Sequence, residues 1–303
     1  MPRAEKGIYV EIAIKGDLDR IWVHTQDPAL HQRWDLRFST IRYLPRASSA
    51  EPQRFLYATR IGFGACIAGE GESTGSRDDI SGDRTSGLKF WSDDAKSLIR
   101  EGAGYWRYIP GEGANRFLTW YDYRTRFGLA GRVFDALVFR RLIGWATAWS
   151  FDRLRLWIDE GVPPVASLRF AAIHAVARAA IGFTWIWHGL VPKLIFADAA
   201  ERSMLGESGL PVELLPVIGA VEIFAGLAAL GLWRWRPYFI LNALAMLAAL
   251  GAAAVHSPAY LTAAFNPVTL NLGMIALSVA GYLAAALMPS ASRCRRGPRE
   301  AER

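Results

Sequence analysis

From Phe170 to Phe196 the chain reads FAAIHAVARAAIGFTWIWHGLVPKLIF, and this stretch decides the fold. A membrane-spanning helix needs roughly 20 predominantly apolar residues, and the stretch meets that length. Three further segments do the same: Val212–Trp233, Pro237–His256 and Pro267–Met288. Hydropathy thus partitions the chain of 303 residues. Residues 1–162 hold most of the charge and read as a globular domain. Residues 163–169, opening on Pro163-Pro164, read as a short linker. Residues 170–288 read as four transmembrane helices, about 170–196, 212–233, 237–256 and 267–288, and residues 289–303 as a basic tail.

Arginine placement sets the expected orientation. Arg169 precedes the first span, Arg234 and Arg236 fill the turn between the second and third, and Arg293, Arg295, Arg296 and Arg299 follow the fourth. The opposite loops hold Asp198, Glu201, Arg202 and Glu207, or no charge at all. An excess of arginine on one side marks the cytoplasmic side, so both termini are expected in the cytoplasm of a bacterial cell, with the spans in its inner membrane. Trp233, Trp235 and Tyr238 fall at the inner boundary, and Trp187 and Tyr260 near the outer one, where amphipathic rings are favoured. Gly219, Gly226, Ala243, Gly251, Gly273 and Gly281 offer close helix contacts. Val133–Ile158 is also apolar but carries Asp135, Arg140, Arg141, Asp152, Arg153 and Arg155, too many charges for hydrocarbon. It reads instead as a long helix on a sheet.

The net charge of +7 is no nucleic-acid footprint, because arginine and lysine in residues 1–162 interleave with carboxylates and form no basic stripe. Cys66 and Cys294 lie far apart and make neither a redox pair nor a metal site. The apolar run Ile8–Ile14 is too short for a secretory signal and is broken by Glu11. No cofactor, metal or catalytic residue is expected.

Polar residues inside the spans are the informative exceptions. A rise of about 1.5 Å per residue puts Arg178 and Asn242 in the inner half and Glu222 near the middle. His188, His256 and Asn271 fall near the outer boundary, with Lys193 just beyond. Arg178 and Glu222 are the natural charge pair on depth alone. Such groups either compensate one another or line a path for a headgroup, a quinone or protons.

In the first half, Ile8, Val10, Ile12 and Ile14 alternate with Tyr9, Glu11 and Ala13, the period of a half-buried strand. Asp17 and Asp27-Pro28 signal two short helices. Strands are expected at Phe38–Leu44, Arg54–Gly62, Ala65–Glu72, Gly87–Trp91, Leu98–Arg107 and Arg116–Arg126, with a turn at Gly111-Glu112-Gly113. A long helix from about Ala130 to Asp159 closes the half. Asp35, Arg37, Arg60, Glu70, Glu72, Glu101 and Arg126 are the charges nearest a possible cavity mouth. Glu70 and Glu72 share one strand face, where solvation or pairing with arginine is favoured over acid–base work. His24 and His31 read as surface or capping groups.

That element order resembles the helix-grip fold of the START/Bet v 1-like (SRPBCC, polyketide-cyclase-like) superfamily across residues 7–160. The resemblance implies an α+β domain in which an antiparallel sheet wraps a long C-terminal helix around an apolar cavity. Trp34, Tyr57, Arg60, Trp91, Tyr105, Trp120, Tyr123, Trp145 and Trp149 are the candidate cavity residues, with Trp22 and Phe63 as further rings. The strings Trp187-His188-Gly189-Leu190-Val191-Pro192-Lys193 and Phe265-Asn266-Pro267-Val268-Thr269-Leu270-Asn271-Leu272, with Glu222, resemble the DoxX-like family of all-α four-helix membrane proteins. The segment Leu142–Asp152 resembles proteins that join these two parts.

The leading expectation is a binding module rather than an enzyme. Its partners would be the lipid bilayer and a membrane lipid or other hydrophobic small molecule, with no nucleic acid. The alternatives are a subunit or enzyme of a quinone-linked membrane redox system and a membrane scaffold or assembly protein.

Overall fold

The computed structural model describes residues 7–48, 50–62, 64–80 and 82–298; Phe63 and Arg299, drawn on above, lie outside them. The chain forms two compact units, residues 1–167 with 289–303, and residues 168–288.

In the first unit β1 (Ile8–Ile14) precedes α1 (Leu18–Gln26) and α2 (Pro28–Trp34). The Asp27 carboxylate caps α2 by accepting from the Ala29 and Leu30 amides, and Pro28 fills the first helical position, where no donor is needed. Then come β2 (Thr40–Tyr43), β3 (Arg54–Gly62), β4 (Ala65–Asp78), β5 (Arg84–Trp91), β6 (Ile99–Ile109) and β7 (Asn115–Thr125). Among the described residues these strands make one seven-stranded antiparallel sheet in the order β1-β7-β6-β5-β4-β3-β2.

After β7 the chain forms α3 (Gly128–Phe134), a π-helical turn (Asp135–Phe139) and α4 (Arg140–Asp159). The single expected helix is thus interrupted. At the interruption the buried Asp135 carboxylate accepts from the Tyr123 hydroxyl at 2.5 Å and from Arg140 Nε at 3.0 Å. Ala148, Phe151, Leu154 and Ile158 follow helical spacing and bury one face of α4 against Val10, Ile12, Ile14, Trp106, Tyr108, Phe117 and Tyr121. A sheet gripping its C-terminal helix is the arrangement expected from sequence.

Residues 289–298 join this unit rather than trailing as a free tail. The Glu11 and Arg295 backbones exchange two hydrogen bonds of 2.9 Å along the outer edge of β1. Beneath them the fully buried Asp152 carboxylate accepts from the Ser290 amide and from Arg293 Nη1, each at 2.7 Å.

The other unit is helical. α5 (Pro164–His188) runs into a π-helical turn at Gly189–Ile195, so the expected linker at 163–169 is helical from Pro164 onward. Pro192 inside that turn has no amide hydrogen, and its ring would crowd the carbonyl of a regular helix, which favours the widened turn. The charged loop folds as α6 (Ala199–Glu207). α7 (Leu215–Gly231), α8 (Pro237–His256) and α9 (Pro267–Leu287) follow. Among the described residues four helical stretches are long and apolar enough to cross a membrane: Pro164–Ile195, Val212–Gly231, Pro237–His256 and Pro267–Arg293.

The bundle is built the way lipid requires. Phe183, Val221, Phe224, Leu244 and Leu283 point outward and are exposed, whereas Arg178, His174, Asn242, Asn271 and Ser278 are buried. α5 and α7 meet at small residues: a Cβ on Gly226 would lie 2.7 Å from the Gly182 carbonyl oxygen, and one on Gly219 2.8 Å from that of Gly189. Gly281 lies under Phe239, while Gly251 and Gly273 border open space.

Candidate functional site

Strand alternation sorts the candidate cavity residues by face. Tyr121 and Tyr123 of β7 lie in the core, so Trp120, one residue before Tyr121, projects from the outer face, and Tyr105, its register partner on β6, stacks on it with ring centroids 6.1 Å apart. Trp91 pairs in register with Glu70 and Glu101 on that same outer face. Arg60 is exposed. These four residues therefore do not line the space between sheet and helix. Glu70, Glu72 and Glu101 leave the expected mouth with them, and each pairs with a basic residue: Arg54 at 2.7 Å, Lys89 at 4.0 Å and Arg124 at 3.0 Å.

The inner face keeps Trp34, Tyr57, Tyr123 and Trp149. Trp34 is fully buried and donates its indole N–H to the His24 carbonyl, which makes it a core residue. Trp149 packs partly buried against the core, and Trp145, more exposed, lies 6.1 Å from it. Tyr57 lies over Gly69 and contacts Phe38 edge to face. Phe90, Ile99, Phe139 and Ile143 join this wall, each only partly buried.

At one end of this apolar wall sits a polar cluster that the sequence reading only half saw. Asp35, capping the C-terminus of α2, takes a forked pair of bonds from Arg37, 2.9 Å from Nε and 2.6 Å from Nη2. His31 Nε2 lies 3.1 Å from Asp35 Oδ2, the oxygen that Arg37 Nη2 also reaches, and its ring is enclosed by Trp34, Phe38 and Trp106. His31 is thus no surface group. The Arg37 guanidinium stands 5.5 Å from the Tyr121 ring, and the Tyr121 hydroxyl meets that of Thr147 on α4 at 2.8 Å.

The electrostatics follow from burial against pairing. Burial pushes the Asp35 pKa up, but the Arg37 charge and the His31 bond outweigh it and hold the carboxyl below its usual range. For Arg37, burial works against the charge and Asp35 outweighs it, raising the pKa. His31 goes the other way: desolvation exceeds the help of Asp35, and its pKa is lowered. A locked Asp35–Arg37 pair is a poor general base. The cluster offers a fixed, internally neutralised polar end to an otherwise aromatic and aliphatic wall.

The polar residues of the spans also differ from expectation. Arg178 does not meet Glu222. It is fully buried and donates to the Ala229 carbonyl at 3.0 Å and the Trp235 carbonyl at 2.8 Å, while Tyr238 and Phe239 face its guanidinium. Arg178 therefore closes the C-terminal end of α7, where carbonyls lack intrahelical partners. Glu222 instead pairs with Lys193 at 3.0 Å, and Lys193 reaches Glu201 of α6 at 3.2 Å. The π turn carrying Lys193 aims it at α7.

Asn242 accepts from the Trp185 indole at 2.6 Å and donates to Ser278 at 2.8 Å, tying α5, α8 and α9. His188 is half-buried and its carbonyl faces Lys193 Nζ at 3.4 Å; Asn271 is buried and His256 exposed. His174, overlooked in sequence, is fully buried between the Trp233 and Gly281 carbonyls, at 3.0 and 3.4 Å. Among the described residues no group of His, Cys, Asp and Glu is arranged to hold a metal ion.

A membrane bundle joined to a sheet that grips its C-terminal helix defines a class, and comparison with known proteins agrees on the membrane bundle. Residues 182–279 match the model of the DoxX-like family. The chain is 46% identical over 232 residues to the uncharacterized membrane protein YndG of Bacillus subtilis, covering 75% of this chain and 86% of that protein, and it belongs to the same family. Solved structures similar to the first unit include hypothetical protein jhp0584 of Helicobacter pylori, at 16% identity and a TM-score of 0.41, covering 51% of this chain and 88% of that one. Another is a STAR-related lipid transfer protein fragment of Xanthomonas axonopodis, at 14% identity and a TM-score of 0.37, covering 51% of this chain and 94% of that one.

Proposed function

We propose that this membrane protein is a binding module. Its helix-grip unit holds an apolar or amphipathic molecule between the inner sheet face and α4, on the cytoplasmic side of a bacterial inner membrane. One observation carries this reading. Phe38, Tyr57, Phe90 and Ile99 on the sheet side and Phe139 and Ile143 on the helix side remain only partly buried, beside a polar cluster whose Asp35 carboxylate is fully buried. An apolar wall with few fixed polar groups is what a site for a lipid-like molecule requires. The DoxX-like helices anchor the unit within reach of the bilayer that supplies such molecules.

A photoactivatable fatty acid, added to the full-length protein in detergent and cross-linked, should label peptides carrying Tyr57, Phe90 or Ile143. Labelling confined to the spanning helices would remove the proposal. Sidedness has its own test, because Cys66 is exposed and Cys294 buried. A membrane-impermeant maleimide should label Cys66 only after cells are opened.

A further inference from the structure

We propose that α3, the π turn and the first turns of α4 form a docking face for the anionic lipid surface of the membrane that this chain spans. This face stands apart from the rest of its unit. Leu129 is 69% exposed, Val133 49%, Phe134 50%, Leu137 62%, Leu142 55% and Trp145 42%. These side chains lie outside the α4 stripe that grips the sheet. The outer face of the sheet, by contrast, carries paired charges at Arg54–Glu70 and Arg124–Glu101.

Charge selects the occupant. Between Phe127 and Ala146 the sole carboxylate is Asp135, which points inward to Tyr123 and Arg140 and is 6% exposed. Exposed Arg132 and Arg141 flank the apolar residues. Arg296 of the returning segment adds a third cation, its guanidinium bonded to the Arg141 carbonyl at 3.3 Å. An apolar helical face of Leu, Phe and Trp rimmed by arginine, with no outward carboxylate of its own, is the pattern of a helix lying in a phospholipid interface; the nearby Asp122 of β7 is neutralised by Arg140 at 3.1 Å. A second copy of the chain would present the same cations and repel across the contact.

The test uses the full chain in nanodiscs, with Leu137→Cys in a Cys66→Ser background carrying an environment-sensitive fluorophore, and Arg77→Cys as the control. Arg77 has a side chain 83% exposed on β4. In phosphatidylglycerol discs the label at residue 137 should shift to the blue and be quenched by doxyl-labelled lipid, while the control should do neither. High salt should weaken the quenching. Arg132→Glu with Arg141→Glu should lower the docked-to-undocked ratio about tenfold or more, since each cation near an anionic surface contributes independently. A water-like spectrum at residue 137 in these discs overturns the proposal. So does a blue shift without lipid quenching that depends on protein-to-lipid ratio, which would mean a second copy covers the face.

Discussion

Arg293 reaches back across the sequence to Asp152, its Nη1 2.7 Å from a carboxylate oxygen that is fully buried on α4. Arg155 holds the other oxygen at 2.7 Å, so one carboxylate binds its own helix and the segment that follows α9. Replacing Asp152 by alanine leaves the mostly buried Arg155 only its longer contacts to Glu160 at 3.7 Å and Asp159 at 4.0 Å, and frees the Ser290 amide. The expected loss is about 3–5 kcal/mol, as when one partner is taken from a buried pair. Arg293→Ala, at a partly exposed position, should destabilise by about 1 kcal/mol or less. Thermal unfolding in detergent measures the difference, and trypsin should cut at Arg295 and Arg296 much faster in the Asp152 variant.

Lys193 and Glu222 should couple, and Arg178 and Glu222 should not. Double-mutant cycles read by unfolding are expected to give at least about 0.5 kcal/mol for the first pair and values near zero for the second. Equal coupling in both cycles would contradict the geometry. Arg178→Lys should behave like a deletion, because a single ammonium cannot reach two carbonyls on separate segments as the guanidinium fork does.

Gly226→Leu should destabilise the bundle by about 1–3 kcal/mol or block its assembly, since the added side chain enters the Gly182 backbone. Gly251→Leu and Gly273→Leu face open space and should leave the melting temperature nearly unchanged. Size-exclusion profiles and melting curves distinguish these outcomes.

Acid should loosen the polar cluster in two stages. His31 has a folded pKa below its ordinary 6.5, so its contribution is complete above that value and declines as pH falls through it. Asp35 is also depressed, from an ordinary 3.8, and its contribution persists until the pH approaches that lower range. His31→Gln should therefore flatten the fall in stability just below pH 6.5 while leaving the later acid transition in place. An unchanged slope in that window would show that His31 does not titrate with unfolding.

How far the sequence disclosed this molecule depends on which physical signal each feature uses. The four spans and the succession of strands along the chain were readable because hydropathy and two-residue alternation are local properties. Partners were less so. Depth along a span places Arg178 near Glu222, but depth says nothing of which side of its helix each residue occupies, and Lys193 won through a π turn that shifts the face. Alternation fixes which strand residues share a side without saying which side is inner. On β6 and β7 both sides are aromatic, Tyr105 and Trp120 against Trp106 and Tyr121, so composition could not decide. His31 and Asp35 were separable in principle, four residues apart around the end of α2, a spacing that puts them together on one face. His174 gave no signal beyond its polarity.

The strand bond between Glu11 and Arg295 has a consequence in time. A ribosome releases β1 before α5 to α9, but the strip that covers its open edge emerges only after those helices have been made. An unprotected strand edge invites pairing with other chains, and here that interval spans the synthesis of all four membrane-length helical stretches. The sheet unit is made before the helices but sealed after them, so failure of the helices to insert leaves it with an adhesive border.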